Sequence, residues 1–175
     1  WAGSPSHAGD LELVIPVMER FLKAHSDAKL VLFGQEIRDA RLPTGQVEIL
    51  PWCEFEDYPF RLAEIDADVA LAPLAAVPFN YGKSNLRILQ YWATGYPVVA
   101  SNIGPYAEAT DCGPARDGVL CETADEWLSA LEELYKLPEL RRQMSSNGFE
   151  SVKKYDVLPH SKKIEAFYSS LAERR

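Results

Sequence analysis

Residues 73–101 read PLAAVPFNYGKSNLRILQYWATGYPVVAS, and the reading of this stretch decides the fold. An apolar run, Asp68-Val69-Ala70-Leu71-Ala72, comes before it and stops at Pro73. A polar loop then closes on Gly82-Lys83-Ser84-Asn85, and the pattern predicts a helix from Ser84 to Ala93 ended by Thr94-Gly95. Pro97 to Ser101 is a second apolar run. The expected unit is strand, loop, helix, strand. The start of a helix carries unpaired N–H groups and a partial positive charge, and Lys83 adds a full one. This position therefore suits a phosphorylated ligand.

Working outward, the same alternation continues. The first residues read as the tail of a strand entering a Gly-rich turn. Apolar residues from Leu11 to Leu22 recur at helical spacing, which predicts a helix from Gly9 to His25 with a kink or late start at Pro16. Lys29 to Phe33 and Gln46 to Leu50 read as strands, and Tyr58 to Ile65 as a short helix. A short helix is expected over Tyr106 to Thr110 and a last strand over Gly118 to Cys121. Beyond Thr123 the chain reads as three helices, the first capped by Thr123, the second running from Pro138 to Tyr155, the third opened by Pro159. Short continuous apolar strands alternating with helices predict an α/β fold. The expectation is a Rossmann-like, doubly wound parallel sheet of about six strands, with helices on both faces and an all-helical C-terminal end. Ligands of such sheets bind outside the carboxyl ends of the strands.

The composition narrows the partners. A length of 175 residues fits one domain or a piece of a larger protein, and 47% hydrophobic residues suffice for a core. A net charge of −8 argues against nucleic acid and against an anionic membrane surface. No apolar run approaches the ~20 residues that span a bilayer. Cys53, Cys112 and Cys121 form no CxxC pair and read as reduced thiols, which points to a cytoplasmic location. The chain opens on Trp1 rather than Met, from which we expect an upstream segment.

Three loops are expected to meet at the carboxyl end of the sheet. The first, Gly3-Ser4-Pro5-Ser6-His7, combines small residues that admit a ligand with side chains that can donate to phosphate. The second, Gly34 to Leu42, carries Arg38 and Arg41, which read mainly as solvated cations. The third is Tyr81 to Asn85, in which Lys83 is the expected phosphate contact and Ser84 or Asn85 can cap the helix. Along that helix Arg87 and Gln90 share one face, and Leu86 and Leu89 the other. Arg87 reads as solvated, Gln90 as an even choice between solvent and ligand. His25 and His160 fit helix-end or surface roles. No HExxH, P-loop, GxGxxG or nucleophile-elbow pattern is present, and no spacing suggests a metal site.

The order of segments resembles the C-terminal, donor-binding half of GT-B glycosyltransferases, in particular the retaining family with many bacterial polysaccharide and lipopolysaccharide transferases. The resemblance is carried by Gly3-Ser4 with His7 and Asp10-Leu11, by Lys29 to Gly34, and above all by Gly82 to Tyr91 followed by Gly95-Tyr96-Pro97-Val98-Val99-Ala100-Ser101. It implies a nucleotide-diphosphate sugar donor, with no other cofactor. Family members carry two glutamates eight positions apart, one for the donor sugar and one for ribose. Here Gly82 and Gln90 stand at those positions, so Gln90 keeps a ribose contact and Gly82 supplies no carboxylate. The Arg and Lys that members place after the first strand are replaced by Gly3-Ser4 and His7, and Lys83 supplies the missing charge.

From the resemblance follows the expectation of a donor-binding domain whose N-terminal, acceptor-binding partner domain lies outside this chain. The nucleotide-sugar residues expected from it are Gly3, Ser4, His7, Gly82, Lys83, Ser84, Asn85 and Gln90; the catalytic residues are not assigned. By itself such a piece binds nucleotide weakly and turns over nothing. The rival readings are a non-catalytic interaction module that kept the fold and lost the site, half of a GT-B epimerase, and a receiver-type domain. The apolar side of the last helix (Ile164, Phe167, Tyr168, Leu171) is expected to face a partner surface.

Overall fold

The computed structural model describes residues 1–4, 7–34 and 39–172. The chain opens with a short helix α1 (Ala8–Leu11), a turn, and α2 (Ile15–Ala24). The single helix expected from Gly9 to His25 is thus two. Pro16 sits in the first turn of α2, where a missing N–H costs nothing, so the late start is the form the chain takes. β1 (Leu30–Phe33) and β2 (Val47–Leu50) follow, then α3 (Tyr58–Ala63) and β3 (Ala70–Ala72). Next come α4 (Pro78–Tyr81), α5 (Leu86–Ala93), β4 (Val98–Ser101), α6 (Gly104–Ala109) and β5 (Gly118–Cys121). Three long helices close the chain: α7 (Ala124–Lys136), α8 (Pro138–Val152) and α9 (Val157–Ala172). The helix α4 lies inside what reads as a plain polar loop. Four residues are too few to show a period.

The sheet differs from expectation. Among the described residues there are five strands in two parallel sheets, β1-β2 and β3-β4-β5, rather than one sheet of about six. The sixth strand is reduced to a parallel bridge between Ala2 and Phe33. Phe33 N donates to Trp1 O at 2.9 Å, and Gly3 N to Phe33 O at 3.0 Å, so residues 1–3 lie along β1. On their other side no ladder forms to β3. A side chain closes the seam instead: the buried hydroxyl of Tyr91 accepts from Ala2 N at 2.9 Å and donates to Leu71 O at 3.4 Å.

Both faces are covered, as a doubly wound fold requires. One core packs α2 and α7 on Leu30, Leu32, Leu71 and Val99; the other packs α5 and α6 on Phe33, Ala70, Ala72, Val98 and Ala100. Alternate residues of β3 and β4 therefore point to opposite cores, which is why these strands read as unbroken apolar runs. In α5 the inward residues are Ile88, Tyr91 and Trp92, at i, i+3 and i+4. Leu86, expected on the apolar side, is exposed. Thr123 caps α7 in a reciprocal box with Glu126. α9 starts two residues before Pro159 and leaves Ile164, Phe167, Tyr168 and Leu171 exposed.

Candidate donor site

The carboxyl ends of the strands bring together the turn after residues 1–3, the segment after β3, and the segment between α4 and α5. Asp10 joins them. It is buried, and its Oδ1 accepts from Ala75 N at 2.9 Å and from Asn80 Nδ2 at 3.0 Å. Its Oδ2 pairs with His7 Nδ1 at 3.0 Å and with Lys83 Nζ at 3.4 Å. Burial pushes the Asp10 carboxyl up, but the bonds from Ala75, His7 and Lys83 together outweigh it and hold the group below its ordinary value. Asp10 is thus an anion wired to four donors from four segments. Sequence reading gave it no role, although the H-x-x-D spacing at a helix start places the two side chains within reach of each other.

Lys83 is half-buried, and its Nζ lies 5.4 Å from the Phe79 ring centroid as well as beside Asp10. Gly82 ends α4 at an ordinary φ of −92°, and a Cβ there would meet only Phe79 O, at 3.7 Å. Ser84 is exposed. Asn85 holds the N-cap position of α5, but its side chain makes no cap bond, so neither Ser84 nor Asn85 fills the capping role expected of them. Among the described residues the first turn of α5 thus has no side-chain cap at its N-cap position. Gln90 is half-buried one turn further on.

On the opposite wall Gly3 N is committed to Phe33, and Ser4 O accepts from His7 N at 3.0 Å. Ser6 and Arg38 lie outside the described residues. Arg41 lies away from the cluster, paired with Asp39 at 2.8 Å and with Glu12 at 3.0 Å, which fits a surface role.

Arg87 overturns its sequence reading. It is half-buried, not solvated, with its guanidinium carbon 5.5 Å from the Trp1 ring centroid. A Cβ on Gly3 would meet the Trp1 ring first, at 2.6 Å, and Arg87 Nη2 at 3.0 Å, so the small residue leaves room for the ring and the cation stacked on it. Its Nη1 is buried and, among the described residues, has no hydrogen-bond partner. An unpaired buried donor on a cation is costly and calls for a ligand or another explanation. The sequence offered only a local signal: Arg87 precedes the aromatic Tyr91 by four positions, which puts both on one side of α5.

His7 and Lys83 thus flank the Asp10 carboxylate, and Arg87 lies near enough to His7 to act on its ring, in a chain of net charge −8. Burial lowers the His7 ring's affinity for a proton, Asp10 opposes this, and Arg87 and Lys83 lower it further; the net direction is down. Among the described residues no group of His, Cys, Asp and Glu could hold a metal ion, and no helix is long and apolar enough to cross a membrane.

Residues 2–137 match the family of glycosyl transferases group 1, so the chain belongs to that family. Solved structures agree on the fold. Sucrose-phosphate synthase from Thermosynechococcus elongatus superposes with a TM-score of 0.71 at 17% identity, covering 95% of this chain and 44% of that one. TarM gives 0.70 at 17% identity, with 95% and 34% coverage. HepE from Anabaena, solved in complex with UDP-glucose, gives 0.66 at 17% identity, with 97% and 54% coverage. This chain therefore carries a fold found in GT-B glycosyltransferases and spans about a third to a half of their length. No curated protein matches it in sequence.

Proposed function

We propose that this chain is the donor-binding domain of a glycosyltransferase that moves a sugar from a nucleotide-diphosphate sugar to an acceptor hydroxyl. The observation that carries the reading is the buried Nη1 of Arg87, unpartnered among the described residues, on a cation that acts on His7 together with Lys83. A diphosphate is the group such a cluster suits, and the developing charge on a departing diphosphate is what fixed cations stabilise. In this reading Arg87 and Lys83 bind the diphosphate, helped by the N–H groups at the start of α5 and by the backbone around Gly3-Ser4. Gln90 hydrogen-bonds ribose. Gly82, Ser84 and Asn85 form the floor under the donor sugar.

The acceptor would bind to a second, N-terminal domain, with the reaction in the cleft between them. Polysaccharide or lipopolysaccharide synthesis in a bacterium, on the cytoplasmic side and at the inner face of the membrane, is the setting we favour. The family match and the HepE complex with UDP-glucose support the donor class. The competing reading, an interaction module that lost its site, draws on Gly82 in place of a carboxylate. It leaves the stranded Arg87 without a purpose.

The test is a calorimetric titration of the chain with UDP, GDP and their sugar conjugates, beside Lys83→Ala and Arg87→Ala. One nucleotide is expected to bind, and each variant to weaken it by about tenfold to a hundredfold, the loss of a charged hydrogen bond. Absence of binding to every one of them would favour the interaction module.

A further inference from the structure

The His7–Asp10 pair has a chemical problem that a bound diphosphate creates. His7 Nδ1 lies 3.0 Å from Asp10 Oδ2. An ionised carboxylate only accepts, so Nδ1 carries the proton in that contact. A neutral ring then keeps a bare lone pair at Nε2, for which no hydrogen-bond partner is found among the described residues. A phosphate oxygen brought against that lone pair is repelled. A ring protonated on both nitrogens donates to both anions.

We propose that His7 takes up one proton when the diphosphate of a nucleotide sugar binds, donating from Nε2 to the diphosphate while Asp10 accepts from Nδ1. The inference rests on the nucleotide-sugar reading of this site. The proton comes from solvent, no covalent bond in the ligand changes, and it returns to solvent when the diphosphate leaves. The groups that face His7 are Asp10 from α1, Lys83 before α5 and Arg87 within α5. In the free protein burial and the two cations keep the ring neutral against the pull of Asp10. The two charges of a diphosphate diester offset Lys83 and Arg87, which removes their opposition to the imidazolium. Asp10, four-times bonded and anionic, is a counter-ion already in place, so His7 acts as a binding residue and Asp10 as the residue that positions it.

The experiment is calorimetry of UDP-glucose and GDP-mannose near pH 7.5 in buffers of different ionisation enthalpy. Sugar conjugates are the right probes, since their diester phosphates have no proton to exchange near neutrality, whereas free UDP does. Expected is an uptake approaching one proton per site. In His7→Gln it falls to none, with binding kept but about tenfold weaker. Because Asp10→Asn can disturb folding, the second readout is the His7 ring of the unaltered chain by nitrogen NMR. It is expected neutral and Nδ1-protonated when free, and doubly protonated when bound. Binding with no buffer dependence and a neutral bound ring overturns this inference and leaves the donor-site reading standing. No binding of either conjugate overturns both.

Discussion

The hydroxyl of Tyr91 stands 2.9 Å from the backbone nitrogen of Ala2, across a seam where one sheet ends and the next begins. A single phenol does there what a strand ladder does elsewhere, since it also reaches Leu71 O at 3.4 Å. It ties the wall carrying Gly3 to the wall carrying α5. Burial pushes the Tyr91 hydroxyl up, so it remains a neutral donor. Tyr91→Phe strands a buried N–H and a carbonyl. We expect a loss of about 1–3 kcal/mol of stability, read by denaturant unfolding. An unchanged midpoint would show that the seam is held by packing alone.

The helix α8 is held against α5 by a contact that tolerates no added atom. A Cβ on Gly148 would collide with the Trp92 ring at Cδ1. The ring cannot step aside, because its Nε1 donates to Asp117 O at 2.9 Å in a fully buried setting. Gly148→Ala should therefore destabilise by about 1–3 kcal/mol, against the small gain that alanine normally brings to a helix. A more stable Gly148→Ala protein would mean that α8 is free to move off Trp92.

Acid should weaken the fold through the His7–Asp10 pair, and the sign follows from the two shifts. Asp10 titrates below its ordinary 3.8 when folded, so its contribution is present above that value and lost as pH falls through the folded one. His7 titrates below its ordinary 6.5 when folded, so between those values the unfolded chain binds more protons and stability drops as pH falls. Asp117 acts oppositely: burial raises it, and protonating it on acidification relieves a cost. His7→Gln should flatten the decline just below pH 6.5, measured as melting temperature against pH. A parallel curve for the variant would remove His7 from the account.

The three thiols should separate by reactivity. Cys112 is exposed, Cys53 half-buried and Cys121 buried. Burial pushes the Cys121 thiol up to about 12, so it holds almost no thiolate at neutral pH. Aromatic disulfide titration of the folded chain is expected to find Cys112 first and Cys121 only after unfolding. Rapid labelling of Cys121 would show that β5 opens.

What the sequence made legible was set by periodicity and by helix and strand ends. Pro73, Gly95 and Pro97 bracket elements that the structure places within two or three residues. The fold class followed from strands such as Val98–Ser101 that are apolar on both faces. Contacts between distant segments were not legible. Arg87 read as solvated because its partners in space, Trp1 and Gly3, are more than 80 positions away in sequence. Asp10 received no site role, since nothing local shows that Ala75 and Asn80 donate to it. The lost sixth strand is the same kind of failure: a side chain, Tyr91, stands in for the ladder, and no strand pattern encodes that.

The most direct measurement is amide chemical-shift mapping of the chain as UDP-glucose and GDP-mannose are titrated in. Saturable shifts are expected for one of them, concentrated at Gly3, Ser4, His7, Lys83, Arg87 and Gln90, and reached in Arg87→Ala only at about tenfold to a hundredfold higher ligand concentration. Shifts that cluster elsewhere, or a spectrum unmoved by either conjugate, would contradict the assignment of this end of the sheet as the donor site.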